Sequence, residues 1–114
     1  MSDFKIVVIY PPPKDVAAFE DVYSKVHIPM AIEKLKGKTK LVAAKILGSP
    51  QGAAPYYRIA EVHFPSRRAL DACLSSEGAK QTVAHAVSIS TGGPPIFMIA
   101  EEETLQFEAA APGR

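Results

Sequence analysis

Four short apolar runs rich in β-branched and aromatic residues punctuate the chain, and helical patterns separate the first from the second and the third from the fourth. Phe4 to Tyr10 (FKIVVIY) runs straight into Pro11, Pro12 and Pro13, a strand followed by a hard stop. Leu41 to Leu47 (LVAAKIL) reads as the second strand and Tyr56 to Phe64 (YYRIAEVHF) as the third, with the loop signal Gly48-Ser49-Pro50-Gln51-Gly52 between them. In the third strand, Arg58, Ala60, Val62 and Phe64 fall on one face, while Tyr57, Ile59, Glu61 and His63 fall on the other. Ile96 to Ala100 (IFMIA) is the last. The order strand, helix, strand, strand, helix pair, strand is that of a split β-α-β-β-α-β unit. The expected fold is therefore α+β and ferredoxin-like, with an antiparallel four-stranded sheet and helices on one face. The other face is left apolar and uncovered, and at ~25 cal/mol per Å² such a surface favours a partner. A symmetric homodimer through the sheet faces is the expectation.

Asp15 stands where an N-cap belongs, before Phe19, Val22, Tyr23 and Val26 at helical spacing. His27 follows Tyr23 by four residues and shares its side. Ile28-Pro29 marks a weakening or end of the regular helix, with Met30, Ile32 and Leu35 covering an extension. Ser66 caps a short helix, Arg67 to Leu74, and Gly78 separates it from Ala79 to Ser90. Residues 1–103 read as one domain and 104–114 as a tail, whose Leu105 and Phe107 are candidates for docking on a partner.

With 114 residues and a formal net charge of +1, the chain has room for one core and no electrostatic design for nucleic acid. The alternate lysines Lys34, Lys36, Lys38 and Lys40 read as a solvated edge. No apolar run approaches the ~20 residues of a membrane span, and the first residues lack a secretory layout, so a cytoplasmic, non-membrane protein is expected. The one cysteine, Cys73, lies in an apolar stretch and reads as a small buried hydrophobe rather than a nucleophile.

The segment FEDVYSKVHIP, Phe19 to Pro29, resembles the signature of the EthD-like family. Pro55-Tyr56, Ser76-Glu77-Gly78 and Thr91-Gly92-Gly93 follow in the family's order, so the resemblance spans roughly residues 4–103. It implies a dimeric α+β barrel, two sheets facing each other with helices outside. It also implies association with ethyl tert-butyl ether degradation clusters beside a cytochrome P450 system, without a settled chemistry. The wider superfamily includes cofactor-free monooxygenases, muconolactone isomerases, polyketide-tailoring enzymes and haem-binding proteins, so the fold selects no reaction. By the resemblance, His27 is the family's helix-end histidine. The aspartate that family members carry in the last helix, in an Ala-Asp-x-x-x-Phe context, is replaced here by His85, with Ile89 in the Phe position.

His27 is the leading candidate for chemistry. A helix C-terminus favours the imidazolium, and a histidine serves as acid or base near neutral pH. His85 or Tyr56 is expected to orient a substrate. His63 points either into the helix–sheet cavity or into the dimer interior. Tyr10, Tyr23, Tyr56 and Tyr57 are candidate pocket walls. No histidine pair shows metal-ligand spacing and no glycine-rich phosphate loop occurs, so no metal and no cofactor are expected. The reading is a small pocket protein acting on a hydrophobic, oxygen-bearing molecule. If it is an enzyme, it is a cofactor-independent oxidoreductase, isomerase or lyase of catabolism or polyketide tailoring. The alternative is a non-catalytic dimeric binding or accessory protein, with haem or metal binding behind both.

Overall fold

The three prolines end the first strand where they stand. In the computed structural model, which describes residues 3–109, β1 spans Asp3–Tyr10, followed by α1 (Val16–Val22), a π-helical turn (Tyr23–His27) and α2 (Ile28–Lys34). Then come β2 (Lys40–Lys45), β3 (Arg58–Phe64), α3 (Arg67–Leu74), α4 (Glu77–Ile89) and β4 (Ile96–Glu102). All strand pairs are antiparallel, in the order β2-β3-β1-β4, so the ferredoxin-like topology is as expected. Asp15, Ser66 and Ser76 cap α1, α3 and α4, each side chain accepting a hydrogen bond from the backbone N–H three residues on. Among the described residues, no helix is long and apolar enough to cross a membrane.

The barrel implied by the family resemblance is not formed. The sheet is open, with β2 and β4 as free edges. Four strands, each turned ~20–25° from the next, do not curl far enough to bring those edges together.

Register assigns every strand residue to a face. Phe4, Ile6, Val8 and Tyr10 lie opposite Phe64, Val62, Ala60 and Arg58, and this set carries the helices. Ile6, Val62 and Phe64 pack with Leu35, Leu70 and Cys73 in one core cluster; Tyr10 packs with Phe19, Tyr23, Ala86 and Ile89 in another. Fully burying side chains such as Phe64 and Leu70 contributes roughly 1.5–3 kcal/mol each. Cys73 is buried in the first cluster, and that burial pushes its thiol above the ordinary range, as suits a core hydrophobe. The opposite face presents Val7, Ile9, Val42, Ile59, Ile96 and Met98, none of which belongs to either cluster.

Pro29 explains the π turn. It has no N–H, and its ring would collide with the Lys25 carbonyl in a regular helix. The backbone widens one turn earlier, and the Ile28 N–H donates to the Tyr23 carbonyl, five residues back. The helix then resumes as α2 rather than ending.

Two glycines hold the helical layer in place. A Cβ on Gly78 would lie 2.5 Å from the Lys34 carbonyl oxygen, so α4 starts in backbone contact with the end of α2. A Cβ on Gly92 would lie 1.8 Å from the Pro12 carbonyl oxygen, which locks the loop before β4 onto the prolines after β1.

Candidate functional site

β1 delivers Tyr10, the π turn delivers His27, and α4 delivers His85. The Nδ1 atoms of His27 and His85 are 2.9 Å apart, with ring centroids 5.1 Å apart and planes 12° from parallel, so the two rings meet edge to edge. Two nitrogens at that distance hold one proton between them, one donating and the other accepting. The Tyr10 hydroxyl lies 3.4 Å from His27 Nε2. Burial, with Tyr23 beside it, pushes the Tyr10 phenol well above the ordinary range, so Tyr10 keeps its proton and can donate it to Nε2. With Tyr10 donating, His27 Nδ1 carries the ring hydrogen and donates to His85; with Tyr10 accepting from Nε2, the Tyr10–His27–His85 chain runs the other way.

His27 does not stand at a helix end. The backbone continues through the π turn into α2, so the ring sits within a continuous helical run, with no free carbonyl end beside it to favour a positive charge. It is only 7% exposed. Burial first, and the neighbouring His85 second, lower its pKa from 6.5 to about 4. At neutral pH it is a neutral imidazole, and the expectation of a dipole-favoured imidazolium is reversed.

His27 borders a cavity of about 500 Å³ between helices and sheet. Most of its wall is apolar, including Ile6, Val8, Val62, Leu35 and Phe97. The polar side chains on it are Tyr10, Tyr23, His27 and Thr82. His85 is half-buried and touches His27 from outside this lining. Behind Tyr23, the Arg58 guanidinium lies 4.9 Å from the ring centroid and holds Glu20 in a two-pronged pair at 3.0 and 2.7 Å. The Arg58 guanidinium holds the Glu20 carboxyl below its ordinary range.

The EthD domain model matches residues 11–87, more than half of the chain. The chain belongs to the EthD family. It is similar to an ethyl tert-butyl ether d (EthD) family protein from Bacillus halodurans, at 25% identity over 89% of this chain and 99% of that one, with a TM-score of 0.83. It is 25% identical over 105 residues to an uncharacterised 11.0 kDa protein of the thcB–thcC intergenic region of Rhodococcus erythropolis, covering 90% of this chain and 98% of the relative. A dimeric ferredoxin-like protein of unknown function from Jannaschia sp. shares the fold, with 14% identity, a TM-score of 0.61, and coverage of 91% and 100%.

Among the residues singled out from sequence, this EthD chain brings His27 and His85 into contact and leaves Tyr56 apart, 37% exposed and away from the cavity lining. Tyr10 and Tyr23 stand in the cavity wall; Tyr57 instead packs edge-on against Phe19. His63 points to the open sheet face, where its Nε2 bonds Glu61. Tyr10 as a partner of His27 and Arg58 behind Tyr23 went unread in the sequence. Tyr10 closes a strand against prolines, and only the antiparallel pairing with β3 reveals which way it faces.

Proposed function

We propose that this EthD protein admits an apolar, oxygen-bearing small molecule to the cavity and moves a proton on it, with His27 exchanging the proton and His85 relaying it toward solvent. The observation that carries the reading is the 2.9 Å imidazole pair at the edge of a largely apolar cavity of ligand size. A neutral His27 has its one lone pair on Nε2, where the long 3.4 Å contact with the Tyr10 hydroxyl yields to the substrate's proton while the Nδ1 hydrogen passes to His85. An oxyanion forming on the substrate beside it would raise the imidazole's basicity at that moment, because an opposite charge within ~4–6 Å favours the protonated ring. Tyr10 donates a hydrogen bond and orients the ring, a role that falls to it and to His85 rather than to Tyr56. Proton abstraction next to a carbonyl, the chemistry of a cofactor-independent isomerase, fits this arrangement best. The test is exchange of the α-protons of α-tetralone in D₂O, followed by NMR. We expect exchange faster than in buffer, with the gain falling ~10²–10⁴-fold in His27→Ala, the usual contribution of a positioned acid–base group. Equal rates for the two proteins would refute the role.

We also propose that two copies associate through their open sheet faces. The apolar row Val7, Ile9, Val42, Ile59 and Ile96 supports this, as does the dimeric state of the Jannaschia protein of the same fold.

A further inference from the structure

The open sheet face carries a second polar constellation, across the sheet from the cavity. His63 on β3 is 1% exposed. Its Nε2 lies 3.0 Å from Glu61 Oε1. An ionised carboxylate can only accept, and Glu61 is also ion-paired with Lys5 Nζ at 3.3 Å. Nε2 is therefore the protonated nitrogen, and in a neutral ring Nδ1 is left with a lone pair. That Nδ1 has no hydrogen-bond partner among the described residues. It faces two further carboxylates, with Glu102 Oε1 at 3.8 Å and Asp3 Oδ2 at 3.9 Å.

With the ring neutral, a lone pair aimed at two carboxylates is repulsive unless a cation, a proton on Nδ1 or a metal ion, sits between them. Lys5 does not fill that position: its Nζ pairs with Glu61 at 3.3 Å and Glu102 at 3.2 Å. Three carboxylates against one ammonium leave two negative charges around the ring. Asp3 faces Glu102 across the β1–β4 ladder, and His63 faces Lys5 across the β1–β3 ladder, so the backbone fixes the grouping.

We propose that His63 Nδ1, Glu102 and Asp3 form a binding site for a divalent transition-metal ion, zinc being the best match, with Glu61 as the outer partner that orients the histidine. A tetrahedral zinc with bonds of about 2.0–2.2 Å needs neighbouring donors roughly 3.3–3.5 Å apart, so each carboxylate closes only slightly on Nδ1 from 3.8 and 3.9 Å, while the half-exposed Asp3 side chain swings toward Glu102, its partner across the β1–β4 ladder. One imidazole and two carboxylates suit zinc and leave a position for water. The Glu61–His63–metal arrangement is the usual means of fixing a ligand histidine's tautomer. The three donors come from three strands and lie dozens of residues apart, so no spacing motif announces them.

The experiment is calorimetric titration of chelator-treated protein with zinc chloride, repeated on His63→Gln, on the double variant Asp3→Asn/Glu102→Gln, and on His85→Gln. The double variant alters side chains that reach solvent, and circular dichroism checks that each protein is folded. We expect one zinc per chain, loss of saturable binding in the first two variants, and unchanged binding in the third. Glu61→Gln should weaken zinc ~10–100-fold, as for other outer-shell partners. No saturable binding by the unmodified protein would overturn the proposal. So would binding that survives the double variant, or that depends on His85, which would assign the ion to the imidazole pair instead.

Discussion

At the scale of single residues, the molecule turns on two histidines in opposite circumstances. His27 is held neutral by burial and by a second imidazole, while His63 is anchored to a carboxylate. The first has a consequence for stability. His27 has a pKa of about 4 when folded, against an ordinary 6.5, so the unfolded chain binds more protons between those values. Stability therefore rises with pH across that window and falls as pH drops from 6.5 toward 4, below which the group adds no further loss. A shift of this size is worth on the order of 3 kcal/mol. We expect urea unfolding of the native protein to weaken between pH 7 and pH 4.5 by more than that of His27→Gln; parallel slopes would contradict the assignment. An NMR titration of the His27 ring protons should give a midpoint near 4. His27 and His85 were readable as candidates from their places in the chain, but their contact was not, because 58 residues separate them and no local pattern pairs them. The protonation state was misread for a local reason: Pro29 suggested a helix end, where the backbone instead absorbs the proline by widening one turn.

At the scale of elements, the site depends on how α4 lies against α2. Gly78 sets that approach through the Lys34 carbonyl. Helix propensity alone favours Gly78→Ala by up to ~1 kcal/mol, but overpacking against rigid backbone costs roughly 1–3 kcal/mol. The clash should win. We expect a Tm several degrees lower, read by thermal unfolding, and a His27 titration moved back toward 6.5 as α4 carries His85 away. A higher Tm would mean that the helices slide apart freely. The strands and caps were legible because alternation, prolines and capping side chains are local signals: β3 holds the two faces read from its sequence, and Asp15 and Ser66 cap as expected. The π turn was not legible, since it records a compromise between Pro29 and continuation of the helix.

At the scale of the whole molecule, the sheet is bare on one side. Opposite the helices it shows an apolar row with a charged cluster at one end, and neither edge strand closes on the other. If two copies cover that row, Val42→Lys with Ile96→Lys should convert a dimer to a monomer in sedimentation velocity while leaving the circular dichroism spectrum unchanged. A native protein that sediments as a monomer at micromolar concentration would remove the basis for this. The open topology was only half legible: four strands and a bare face follow from the pattern, but whether free edges meet is decided by accumulated twist, which no single residue reports. One strand links everything proposed. β1 is central, and its residues alternate in allegiance: Ile6, Val8 and Tyr10 to the cavity, Lys5, Val7 and Ile9 to the bare face. A displacement of β1 is therefore common to both sides. Thermodynamic linkage then demands symmetry: whatever factor a cavity ligand adds to self-association, self-association must return to the ligand's affinity.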